Sequence, residues 1–257
     1  MRVFDSLPAW RDERRTQIRA GGTLGFVPTM GALHDGHLSL VRRSRGENDR
    51  TLVSIFVNPT QFDEPGDFGR YPRTVEEDLA MLRDESVEFV LMPGERDLYP
   101  DGFRYRVTEI EHSKVLEGAC RPGHFDGVLT VVLKLLQLAA ADRAYFGEKD
   151  WQQLSLVRGL ADAFFLPTAI VGCATVREAD GLALSSRNRL LSPSDRLKAP
   201  QFHRALSSCP SPDAAARVLG QAGFAVDYVA ERDGRRLGAV RLGGVRLIDN
   251  VPLPQQR

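Results

Sequence analysis

Apolar positions along the chain follow two periods. Leu24-Gly25-Phe26-Val27 and Thr51-Leu52-Val53-Ser54-Ile55-Phe56-Val57 are short, nearly continuous apolar or β-branched runs, the pattern of strands covered on both faces. Each ends in turn residues, Pro28-Thr29-Met30-Gly31 after the first and Asn58-Pro59 after the second. The same reading predicts strands at 88–92, 105–110, 143–146 and 168–176. Helical spacing lies between them, at 10–20, 37–45, 74–84, 126–140 and 150–165. Thr74 is the expected cap of the third helix, with Glu76, Glu77 and Asp78 in its first turn. Leu154, Val157, Leu160 and Ala161 share one face of the last.

Strand–helix alternation predicts an α/β domain with a mostly parallel sheet. The texture changes after Val176. Ser192-Pro193-Ser194 signals a helix start, 214–221 is a short helix, and 226–231, 239–242 and 245–248 are short strands joined by Gly-rich turns. The expected division is an α/β domain at 1–175 and a smaller α+β domain at 176–257.

Composition narrows the class. Of 257 residues, 34 are Lys or Arg and 34 are Asp or Glu, so the balanced charge gives no footprint for nucleic acid. No apolar stretch approaches the ~18 residues a membrane span needs. The longest apolar-rich run, 128–141, is broken by Lys134 and Gln137. The basic start lacks an apolar stretch behind it, so no secretory signal is expected. Cys120, Cys173 and Cys209 form neither a zinc pattern nor a disulfide frame, and the expectation is reduced thiols in the cytoplasm.

Four segments carry candidate chemistry. Met30-Gly31-Ala32-Leu33-His34-Asp35-Gly36-His37 joins the first apolar strand to a helix. Two imidazoles three residues apart share one side of a helix start. The glycines are expected to let a phosphate approach the backbone, and a helix N-terminus favours its charge. Asn58 and Gln61 stand just past the second strand, at the sheet edge where α/β proteins bind ligands. Their neutral amides suit hydroxyls or a carboxylate. Gly147-Glu148-Lys149-Asp150 and Gln153 follow another strand, Lys149 offering a mobile positive charge. Ser185-Ser186-Arg187, after the Asp180-Gly181 turn, offers two hydroxyls and a guanidinium to phosphates.

His34-Asp35-Gly36-His37 resembles the signature of the nucleotidyltransferase superfamily. The four segments in order, with 70–74, Glu117 to Asp126 and Asp180 to Asn188, resemble the pantothenate synthetase family over residues 25–193. Val226 to Val229 and Arg246-Leu247-Ile248-Asp249-Asn250 are also similar to it. The resemblance implies a Rossmann-like doubly wound sheet with a C-terminal lid. It implies condensation of pantoate with β-alanine through a pantoyl adenylate, releasing pyrophosphate and AMP. ATP would be bound by Met30, Gly31, Ala32, Leu33, His34, Asp35, Gly36 and His37. It would also meet Gly147, Glu148, Lys149, Asp150 and Val176, then Leu184, Ser185, Ser186 and Arg187. His37 takes the catalytic position, with His34, Lys149 and Arg187 assisting. Gln61 and Gln153 would hold pantoate, Gln61 lies near the β-alanine amine, and Asn58 supports them. Mg²⁺ is expected to arrive with ATP, with no protein ligand assigned, and a homodimer is implied.

Leu184 stands where the family often has Met, an apolar exchange. The 204–226 region and the residues after Tyr228 look compressed, so a shortened lid is expected. Other readings are an adenylyltransferase acting on a phosphorylated acceptor and a non-catalytic nucleotide-binding protein. The neutral Asn58, Gln61 and Gln153 speak against the first, and intact His34, His37, Lys149 and Arg187 against the second.

Overall fold

The computed structural model describes residues 1–62 and 67–254. Six strands, β1 (Arg2–Phe4), β2 (Leu24–Thr29), β3 (Arg50–Ile55), β4 (Phe89–Leu91), β5 (Arg143–Gly147) and β6 (Ala169–Cys173), form one sheet. Their order is β1-β4-β3-β2-β5-β6 and every pairing is parallel. The winding reverses between β2 and β5, whose carboxyl ends therefore open a crevice instead of being bridged by a crossover. The segments after β2, β3 and β5 all leave the sheet at this edge.

The sheet is apolar because it is covered. Val27, Val53 and Val90 are fully buried on the three central strands. They pack in one cluster with Leu33, Leu40 and Val41 of the turn and helix that follow β2, and with Leu79 and Leu82 of the helix Val75–Asp84. The helix Asp35–Glu47 is tied down at its far end, where Tyr145 on β5 donates to Glu47 and accepts from Asn48. Burial pushes the Tyr145 hydroxyl up to about 12, so it remains a donor. On the N-terminal helix Leu7–Ala20, fully buried Trp10 donates its indole N–H to Leu138 O at 2.7 Å.

The chain forms two compact units, Met1–Glu148 with Gln152–Cys173, and Lys149–Trp151 with Ala174 onward. In the second, β7 (Ala225–Arg232), β8 (Arg235–Leu242) and β9 (Val245–Pro252) form an antiparallel sheet. The helices Pro200–Ser208 and Pro212–Gln221 bury Phe202, Leu206 and Leu219 in a cluster that includes Val240 and Leu247 of that sheet. Ser192 starts a short helix as expected, its hydroxyl accepting from Asp195 N.

Two expectations fail locally. Residues 105–110 alternate like a strand but pair with no strand among the described residues. Their peptide groups bond to side chains instead, Tyr105 N to Asp101 at 2.9 Å and Val107 N to Thr130 at 2.9 Å. Thr74 sits at the N-cap position without capping the helix, because its hydroxyl points to Asp78 Oδ1 at 3.3 Å.

In the second unit, Arg177 grips Asp249 of β9 at 2.6 and 2.9 Å, and His203 Nδ1 stands 3.4 Å from the same carboxylate. Burial opposes ionisation of Asp249, but His203 and Arg177 outweigh it and hold its carboxyl below the usual range. A depressed folded pKa stabilises fully above the unfolded value, about 3.9 for Asp, and the gain is lost as pH falls towards the folded value. Urea unfolding followed against pH should therefore show stability declining below about pH 4. Asp249→Asn should be less stable near neutrality and show a flatter acid limb.

Candidate active site

The turn after β2 is shaped by a buried carboxylate. Asp78, 1% exposed on the helix Val75–Asp84, accepts Ala32 N at 2.9 Å and Leu33 N at 2.8 Å. These bonds hold Gly31 at φ 77° and Ala32 at φ 50°, consecutive left-handed residues of which only the glycine adopts that region without strain. A Cβ on Gly31 would lie 2.9 Å from Asp78 Oδ2 and 3.2 Å from Ile55. The Cβ direction at Gly31 is thus filled by the carboxylate that folds the turn.

The turn delivers His34 to the N-cap of the helix Asp35–Glu47, where its Nδ1 accepts Gly36 N at 3.1 Å. A neutral ring accepting at Nδ1 carries its proton on Nε2. His37 lies one turn on, and the two rings approach to 4.1 Å between centroids with a 36° tilt. The spacing read from the sequence thus becomes a stacked pair of half-buried imidazoles at the carboxyl edge of β2.

After β3, Asn58 and Gln61 divide their labour. Asn58 is 1% exposed, and its amide nitrogen donates to Gln61 Oε1 at 3.1 Å and Gly127 O at 3.2 Å. Its oxygen accepts from Thr60 at 2.9 Å and Tyr99 at 2.8 Å. Burial raises the Tyr99 phenol above its ordinary value, only partly offset by Thr60, so it stays protonated and donating. Asn58 therefore orients the half-buried Gln61, whose own amide reaches Met30 Sδ at 3.0 Å. His124 Nδ1 donates to Gln61 O at 2.8 Å, and Arg121 reaches the same oxygen at 3.2 Å. Gly127 of the helix His124–Ala139 packs so closely that a Cβ there would lie 2.2 Å from Thr60 O.

The tandem glutamines at 152 and 153 differ in the same way. Gln152 is buried and holds a loop, accepting Glu117 N and donating to His112 O and Val115 O. Gln153, the residue singled out by sequence, is half-buried. The structural work of Asp78, Asn58, Tyr99 and Gln152 depends on contacts far apart in sequence. Of these, only Asn58 is a candidate named from the sequence; Asp78 reads as one acid in a helix's first turn.

In the second unit, Leu184 N donates to Val176 O at 3.0 Å, closing a loop with these two residues opposite one another. Ser185 caps the turn Ser186–Leu190 by accepting Arg187 N at 3.3 Å. Arg196 braces the same loop through Glu178 at 2.5 Å and Asp180 at 2.6 Å. Lys149 Nζ stands 3.9 Å from Asp150.

The family model for pantoate-beta-alanine ligase matches residues 2–252. A pantothenate synthetase from Bdellovibrio bacteriovorus is 50% identical over 98% of each chain. One from Coxiella burnetii is 48% identical over 100% of this chain and 98% of its own. A crystal structure of the Francisella tularensis pantoate-beta-alanine ligase, complexed with beta-gamma ATP and beta-alanine, superposes at TM-score 0.93. It is 40% identical and is covered over 97% of its length by 98% of this chain. The pantothenate synthetase of Thermus thermophilus gives 0.92 at 42% identity, over 99% of this chain and 100% of its own. These relatives do not exceed the chain appreciably in length, so the shortening expected at the C-terminal part is absent relative to them.

The geometry predicts a specific sensitivity at Asp78. In Asp78→Asn one oxygen becomes an NH₂ group facing a peptide N–H, which costs about 1–3 kcal/mol. Thermal melts should show that loss. The folded fraction should also lose turnover, because His34 and His37 hang from the released turn; full turnover per folded molecule would refute this role.

Proposed function

The chain belongs to the pantoate–β-alanine ligase family, and on that basis we propose that it condenses pantoate with β-alanine using ATP, forming pantothenate, AMP and pyrophosphate. A pantoate carboxylate oxygen bonds to the α-phosphorus of ATP, and the bond to the β-phosphate oxygen breaks as pyrophosphate leaves. The β-alanine amine then attacks the activated carbonyl, the C–O bond to AMP breaks, and the amine gives up a proton.

The observation that carries the residue assignment is the stacked His34–His37 pair at the carboxyl edge of β2. His37, with His34, donates to phosphate oxygens as negative charge grows there, a task in which a placed donor acts most strongly in the transition state. Met30 to His37 form the ATP turn in the first unit, where Gly147 and Glu148 also stand. Gln61 and Gln153 hold pantoate, and the neutral amides suit its hydroxyls without adding charge. In the second unit Lys149 and Arg187 offset phosphate charge, while Asp150, Val176, Leu184, Ser185 and Ser186 receive the nucleotide.

Among the described residues no group of three or more His, Cys, Asp or Glu comes together to hold a metal. Mg²⁺ is assigned to the phosphate oxygens of ATP, whose charge it offsets, and no step is drawn through a protein-bound ion. We assign the protein to the cytoplasm, since Cys120, Cys173 and Cys209 are too widely spaced in sequence for a zinc pattern or a disulfide frame. No described helix is long and apolar enough to cross a membrane. A homodimer is assigned from the family, supported by the exposed Tyr105 and Ile110 on an unpaired segment.

The test is AMP and pyrophosphate release with ATP, Mg²⁺ and pantoate, with and without β-alanine. AMP release should require both organic substrates, and AMP formed without either one contradicts the assignment. His37→Ala should keep the fold and lower adenylate formation about 10²-fold or more; near-wild-type formation contradicts its role.

A further inference from the structure

The sequence motif Asp249-Asn250 lies on β9, far along the chain from every segment assigned to ATP, yet its side chains reach two of them. Asn250 is 2% exposed. Its amide nitrogen donates to the main-chain oxygen of Lys149 at 3.0 Å. Its side-chain oxygen accepts from Arg235 Nη1 at 2.6 Å, which fixes which end of the amide faces Lys149. The Arg235 guanidinium carbon in turn lies 4.0 Å from the centre of the Trp151 ring. Asn250 and Arg235 thus hold Lys149–Trp151 from both ends. This explains why these three residues belong to the second unit while Glu148 and Gln152 belong to the first.

The neighbouring residue acts on the other segment. Asp249 binds Arg177, which also donates to Asn250 O at 3.2 Å and Gly181 O at 3.1 Å. Arg177 and Gly181 belong to the loop closed by the Leu184–Val176 bond. One dipeptide of β9 therefore fixes the root of Lys149 and the base of the Val176–Leu184 loop against the same strand.

We propose that Asn250 is a positioning residue for Lys149, its amide fixing the Lys149 carbonyl so that the ammonium stem starts from one place in register with the Val176–Leu184 loop. The role in turnover rests on the ligase reading above. Lysine has a long flexible stem, and anchoring its main chain reduces the conformations it must lose when it meets a phosphate.

Asn250→Asp isolates the interaction. The carboxylate still accepts from Arg235 but places an oxygen, not a donor, against Lys149 O. Adenylate formation should fall about 10-fold or more with the KM for pantoate unchanged. In a Lys149→Ala background the same substitution should change the rate less than about 2-fold, because the two act as one unit. Losses that multiply independently, or a loss confined to thermal stability, overturn the proposal. Arg235→Gln, which leaves Asn250 in place but weakens its orientation, should show a smaller loss with the same dependence on Lys149. It decides the matter if Asn250→Asp does not fold, and a loss independent of Lys149 overturns the proposal. Hydrogen exchange gives a readout free of activity: exchange across Lys149–Trp151 should quicken in either variant. Unchanged exchange there overturns the proposal. Quickened exchange in a protein whose wild type makes no pantoate-dependent AMP overturns the ligase reading and leaves the anchoring intact.

Discussion

A single buried carboxylate sets the geometry on which the first unit depends. Asp78 accepts two consecutive peptide N–H groups, and this outweighs the cost of placing Ala32 in the left-handed region. A buried carboxyl group needs hydrogen-bond partners, and two peptide donors plus the Thr74 hydroxyl provide them. The consequence runs outward through the chain. The turn is closed, His34 becomes the cap of the next helix, and His37 stacks on it one turn later.

The same division between holding and presenting recurs across the molecule. Asn58 holds and Gln61 presents, Gln152 holds and Gln153 presents, and Asn250 holds the main chain from which Lys149 extends. In each pair the holding residue is nearly inaccessible and its amide is engaged at both ends or by several partners. An amide suits this work because it donates and accepts at once without bringing charge into a buried place. The residues proposed to hold pantoate, Gln61 and Gln153 in the first unit, are neutral amides, while those proposed to meet phosphate in the second, Lys149 and Arg187, are cations.

Much of this was legible in the sequence. The buried-strand runs at β2 and β3, the turn residues after them and the His34–His37 spacing are local signals, and local signals survive folding. β1 escaped because a three-residue strand is too short to show a period. The 105–110 segment misled because alternation reports a pleated backbone, not a partner, and its Tyr105 and Val107 N–H groups are taken by Asp101 and Thr130. Asp78 read as one of three acids at a helix start, since nothing local says that its oxygens meet peptides 45 and 46 residues away. For the same reason Lys149–Trp151 could not be assigned to the second unit: Asn250 lies 101 residues from Lys149 along the chain.

The central claim is that this floor activates a carboxylate before any amine is needed. Incorporation of labelled pyrophosphate into ATP measures that step alone, because it requires adenylate formation to run forwards and backwards. The account predicts incorporation that depends on pantoate and proceeds without β-alanine. Incorporation absent until β-alanine is added, or equally fast without pantoate, would contradict it.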